Sequence, residues 1–111
     1  LYHIFPTLRP LLKNGGRAVC LIKPQFEAGR ENVGKKGVVR DKNVHIAVIE
    51  KIIGLIKENN FSLLGLDYSP IKGPEGNIEY LCYIEKSDDA ENLCEKTAKQ
   101  VADESHEALK G

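Results

Sequence analysis

A chain of 111 residues has room for one small domain that buries about two-thirds of its unfolded surface, and for no second domain. Apolar residues make up 41% and charged residues 29%, which excludes a disordered chain, and no apolar run approaches the about 20 residues of a bilayer span. Net charge is zero, yet residues 1–60 carry 11 Lys/Arg against 5 Asp/Glu and residues 61–111 carry 5 against 11, so a half at +6 adjoins a half at −6. A polyanion would bind the positive half, although an uneven scatter of solvated charges explains the split equally well.

Ile4, Leu8, Leu11 and Leu12 form a helical stripe interrupted by Pro6 and Pro10, and Asn14-Gly15-Gly16 supplies the residues that stop a helix. Ala18 to Ile22 is apolar without alternation, the pattern of a parallel strand covered on both faces. From Pro24 to Asp41 no period holds, and a loop of that length in a compact domain is usually functional or disordered. Residues 42–59 form the clearest element, an amphipathic helix with Val44, Val48, Ile49, Ile52, Ile53, Leu55 and Ile56 on one side. His45 falls on that apolar side and is read as a satisfied core-edge histidine, outside any site.

Asn59-Asn60 stop the helix, and Phe61 to Tyr68 is the second predicted strand. Lys72 to Asn77 is turn chemistry, and Ile78 to Ile84 is the third strand. The crossover helix makes strands one and two parallel, whereas the short turn makes strand three antiparallel to both. The tail has a D-x-x-E start at Asp88 and Glu91, then a thin stripe at Leu93, Cys94, Thr97, Val101 and Ala108, read as a helix docked on a narrow face. Cys20, Cys82 and Cys94 are scattered, with no C-x-x-C pair to suggest a metal, and read as buried thiols of a reducing cytoplasm. The chain opens on Leu1-Tyr2-His3 with no secretion signal, and reads as a piece of a longer cytoplasmic protein.

Three segments carry a resemblance: Leu21 to Arg30 (LIKPQFEAGR), Gly34 to Asp41 (GKKGVVRD) and Ser69 to Glu79 (SPIKGPEGNIE). Together they resemble the haemolysin-A-like (TlyA) ribosomal RNA methyltransferases, a branch of the FtsJ-like 2'-O-methyltransferases. The resemblance implies an α/β fold, the C-terminal half of a Rossmann-like S-adenosylmethionine-dependent sheet. The strands here would be five, seven and six, with seven antiparallel between its neighbours, plus flanking helices. Residues 1–86 would be the C-terminal part of the methyltransferase domain and residues 87–111 its helical tail. The cofactor's Gly-rich loop and an S4-type RNA-binding domain would lie upstream, leaving no cofactor-binding residue in this segment and the piece alone inactive. Of the family's Lys-Asp-Lys-Glu tetrad, the second lysine falls on Lys23 and the glutamate on Glu79. Ribosomal RNA or ribosomal subunits would be the partner, with no membrane involved.

The residues themselves suit that placement. Lys23 ends a parallel strand, at the edge where open α/β sheets bind ligands, and Glu79 opens a strand running the other way. If the two strands are neighbours, setting Lys23 against Glu79 places Leu21 opposite Leu81 and Val19 opposite Tyr83. Methyl transfer to a ribose hydroxyl needs that hydroxyl aligned and its proton removed. Lys23 is assigned as base or hydroxyl-positioning group and Glu79 as its orienting partner; the plain alternative is a strand-edge ion pair worth at most about 1 kcal/mol. Arg30, Lys35, Lys36 and Arg40 suit phosphate contacts and Phe26 a stacked base, with solvated loop charges as the alternative. A non-catalytic RNA-binding or interaction module is the rival class. A membrane-active haemolysin finds no support in a spanning segment or a strongly cationic amphipathic helix. An open edge on the first strand would invite edge-to-edge association or covering by another segment.

Overall fold

The computed structural model describes residues 4–29, 33–34 and 37–109. Helix α1 (Ile4–Leu8) passes into a 3-10 turn (Arg9–Leu11) because Pro10 has no N–H to continue the α-helical ladder. Its buried residue is Phe5, tilted against Phe61 at 6.1 Å between ring centroids, while Ile4 and Leu11 of the expected stripe are exposed. Strand β1 (Arg17–Ile22) and the one-turn helix α2 (Pro24–Glu27) follow. Helix α3 (Lys42–Glu58) starts where the Asp41 carboxylate accepts the Asn43 N–H at 2.8 Å and ends at Asn59 and Asn60, the latter in the left-handed region (φ 59°). Strand β2 (Phe61–Tyr68), a 3-10 turn (Pro74–Gly76), strand β3 (Tyr80–Lys86) and helix α4 (Ala98–Ala108) complete the order.

The described strands form one sheet in the order β1-β3-β2, with β3 antiparallel to both neighbours. Leu21 lies opposite Leu81 and Val19 opposite Tyr83, the register expected from setting Lys23 against Glu79. Ile22, Tyr80, Cys82 and Ile84 face the helices and join Ile49, Ile52, Ile56 and Val101 in the core. Tyr80 is where both long helices meet the sheet: its ring is 5.7 Å from that of His45 on α3, and its hydroxyl is 2.7 Å from the Ser105 hydroxyl on α4.

Three expectations need correction. Strand β1 is not covered on both faces; its exposure alternates, and Val19 (64%) and Leu21 (44%) are open, because the described helices lie on the other side of the sheet. The tail does not begin its helix at Asp88. Residues 91–93 run beside β2 instead, with Leu63 N–H donating to Glu91 O (3.0 Å) and Leu93 N–H to Leu63 O (2.8 Å), so their backbone groups are already used. The helix starts only at Thr97, where a reciprocal capping box forms with Gln100. This strap covers the outer edge of β2, whereas among the described residues β1 pairs on one side only. The thiols also differ from expectation, since Cys82 is buried but Cys20 and Cys94 are only partly so.

Candidate active site

Beyond the last β1–β3 pair, Ile22 with Tyr80, the chains diverge and leave Lys23 and Glu79 at the same end of adjacent strands. Lys23 is the extended residue that caps α2, and Pro24, buried behind it, pre-sets the first helical turn. The Phe26 N–H closes the turn on Lys23 O at 2.9 Å. This lifts the Phe26 ring to the surface, 74% exposed, with Lys23 Nζ 5.7 Å from its centroid. Glu79 is 6% exposed, and its Oε2 accepts from Gln25 Nε2 at 2.9 Å. Among the ion pairs of the described residues none joins Lys23 to Glu79, so the simple strand-edge pair is not formed.

A second feature escaped the sequence reading. Asn77, read only as part of a turn, is buried and ties two loops together. Its Oδ1 accepts the Val39 N–H (3.0 Å), and its Nδ2 donates to Gly37 O and Pro74 O, both at 2.9 Å. The loop before α3 is thereby fixed to the loop before Glu79. Gly73 lies against the Glu79 carboxylate, which would have to shift if a Cβ were added there. An asparagine in a Gly-Pro-Glu-Gly-Asn run carries no local sign of a partner nearly forty residues away; the buried amide is the only signal, and it exists only in three dimensions.

Of the phosphate-binding candidates, Arg40 is exposed at the mouth of a cleft of about 210 Å³ that it shares with Lys72, His45 and His106. Arg30, Lys35 and Lys36 lie outside the described residues. A broader cleft of about 510 Å³ opens beside Phe26, lined among the described residues by Gln25, Phe26, Gly29 and Val33.

His45 is satisfied as expected. Its Nε2 is 3.0 Å from Val39 O and its Nδ1 2.7 Å from His106 Nε2. A carbonyl only accepts, so His45 carries its proton on Nε2 and His106 donates to Nδ1. Burial lowers the His45 pKa to about 4 against the opposing bond from Val39, and burial also lowers that of His106. Among the described residues no group of three or more His, Cys, Asp or Glu could hold a metal ion, and no helix is long and apolar enough to cross a membrane.

Comparison with known proteins adds the lineage. YqxC of Bacillus subtilis, named as an rRNA methyltransferase, is 43% identical over 110 residues, covering 96% of this chain and 39% of that protein. The Mycobacterium tuberculosis protein named 16S/23S rRNA (cytidine-2'-O)-methyltransferase TlyA is 30% identical over 109 residues, covering 98% and 39%. A structure named as a hemolysin from Streptococcus thermophilus superposes with a TM-score of 0.94 at 43% identity, covering 99% of this chain and 40% of that one. The chain thus spans about two-fifths of the length of the proteins it matches. Residues 3–86 match the FtsJ-like methyltransferase family, and the chain belongs to that family.

Proposed function

We propose that this chain is the C-terminal part of an S-adenosylmethionine-dependent ribosomal RNA (cytidine-2'-O)-methyltransferase of the cytoplasm. In this reading β1, β3 and β2 are strands five, seven and six of a Rossmann-like sheet, residues 1–86 belong to the methyltransferase domain and residues 87–111 are its tail. The observation that carries the proposal is the β1–β3 register, which brings Lys23 and Glu79 to one sheet end without pairing them.

The residues present fit the acceptor side of the reaction and not the cofactor. The described lining of the cleft beside Phe26 has no carboxylate to take the hydroxyls of an adenosine ribose. S-adenosylmethionine is therefore assigned to sequence outside these residues. Lys23 holds the ribose 2'-hydroxyl or takes its proton, and Glu79 orients the lysine or the ribose. Phe26, exposed beside them, stacks a base, while Arg30, Lys35, Lys36 and Arg40 meet phosphates of ribosomal RNA, free or in a subunit.

The protein carrying the upstream sequence of its relatives should place a methyl group on ribosomal RNA that survives as a nuclease-resistant 2'-O-methylcytidine. Methyl transfer to a base instead would refute the proposal. The 111-residue chain alone should bind no S-adenosylmethionine in calorimetry; if it also retains RNA affinity, the piece by itself is a binding module. The open edge of β1 predicts association of this isolated piece, which sedimentation would reveal.

A further inference from the structure

A carboxylate as buried as that of Glu79 needs hydrogen-bond donors, and among the described residues the donor is Gln25. An ionised carboxylate only accepts, so the amide nitrogen of Gln25 must face it and the amide oxygen must face away. That oxygen, Oε1, is shielded from solvent and has no partner among the described residues. A buried acceptor without a donor is destabilising, so Gln25 makes its bond to Glu79 at the expense of its own second polar atom. The backbone of Gly73 lies against the carboxylate as well, so that Glu79 is met by an amide donor and a glycine.

Gln25 stands where it does because of Lys23. Helix α2 begins at Pro24, and its turn is closed by Phe26 N–H to Lys23 O and Ala28 N–H to Pro24 O, each at 2.9 Å. One turn therefore carries both the lysine and the group that captures the glutamate. Lys23 and Glu79 lie at the same end of adjacent strands, and a salt bridge between them would occupy both groups.

Resting on the reading of Lys23 and Glu79 as the reacting pair, we propose that Gln25 is a positioning residue for 2'-O-methyl transfer. Of the two roles open to Glu79 it selects the second: Gln25 holds the carboxylate for the ribose and out of a salt bridge with Lys23, so that the amino group stays available to the ribose hydroxyl. Gln25 touches neither the hydroxyl nor the methyl group; it acts through Glu79.

The test uses the protein with its upstream sequence, a ribosomal RNA transcript and S-adenosylmethionine. Gln25→Met keeps the length and volume of the side chain and removes the donor. It should lower kcat by about 10²-fold, the scale of a misplaced reacting group, with KM for RNA and for the cofactor within about twofold of the parent. In a Glu79→Gln background the same change should add nothing, because the group it positions is gone. Parental kcat in Gln25→Met beside a crippled Glu79→Gln would overturn the role of Gln25 and leave the reacting pair standing. Independent, multiplying losses in the double variant would overturn it too. Should Glu79→Gln retain full activity, the catalytic reading itself fails. If Gln25→Met does not fold, the isosteric Gln25→Glu, which sets a second carboxylate against Glu79, must show the same kcat-specific loss for the inference to stand.

Discussion

The ladder between β1 and β3 has a basic and an acidic residue at each end, Arg17 with Glu85 inside it and Lys23 with Glu79 just past it, and the two ends treat them differently. At the start of β1, Arg17 Nε meets Glu85 Oε2 at 2.9 Å, and the guanidinium carbon lies 5.9 Å from the centre of the Tyr83 ring. At the finish, six residues on, Lys23 and Glu79 do not pair: the lysine leans over Phe26 and the glutamate is taken by Gln25. Burial runs the same way, for Arg17 is exposed and Glu79 is not. An exposed couple relaxes into the contact that Coulomb attraction favours. A buried carboxylate bonded to a neighbouring amide has its geometry set by that neighbour, and under the proposed function this is the end where the reaction takes place.

The largest effect should come from the finish. In the protein carrying the upstream sequence, Lys23→Ala should cut the single-turnover methylation rate by about 10²–10⁴-fold at saturating RNA and cofactor, with fold and RNA affinity retained, since Lys23 lies past the buried ladder. A near-parental rate would make the two ends equivalent and return Lys23 to the surface. Neutralising Lys35 and Lys36, which lie outside the described residues, should act on affinity and not on the saturated rate. For single-stranded RNA the slope of log affinity against log salt should flatten by about 1.4, or about 0.7 per lost phosphate contact.

How far this contrast could be foreseen depends on the range of each signal. The limits of β2 are those expected from Phe61 to Tyr68, and the β1–β3 register came out as argued, because turns and apolar spacing are local and the strands are short. The start of α4 was misplaced because Asp88 and Glu91 imitate a capping pattern while the backbone there is engaged by β2. Asn77 and Gln25 were missed for the same reason. Each acts through a bond, buried for Asn77 and part-buried for Gln25, to a residue 38 or 54 positions away, which no periodicity encodes.

A polar couple inside the molecule sharpens the comparison, because it should govern stability and leave the rate alone. His45 is held neutral, its folded pKa near 4 and below the unfolded value of about 6.5. The unfolded chain therefore binds the proton first as pH falls. The contribution of His45 is complete above about pH 6.5 and is lost progressively between there and about pH 4. Replacing His45 by leucine should destabilise the fold by about 1–3 kcal/mol at neutral pH, since it strands Val39 O and the His106 N–H. It should also flatten the denaturation midpoint across that pH window. A variant whose midpoint still falls as steeply as the parent's would show that another group carries the acid sensitivity.

The smallest effect belongs to the start of the ladder. Arg17→Gln removes the ion pair with Glu85 and the stacking on Tyr83 but leaves the backbone pairing of Arg17 with Glu85 in place. Proximity to Tyr83 and Glu85 raises the Arg17 pKa, but the group is solvated, and salt and water screen what the pair gains. The methylation rate should stay within about twofold of the parent, and the unfolding midpoint should move less in high salt than in low. The measurement is a pair of thermal melts at the two ionic strengths beside a single-turnover assay. A rate loss approaching that of Lys23→Ala would show that the charge at the far end of β1 also reaches the reaction, and the distinction between a settled couple and a withheld one would no longer separate structure from chemistry.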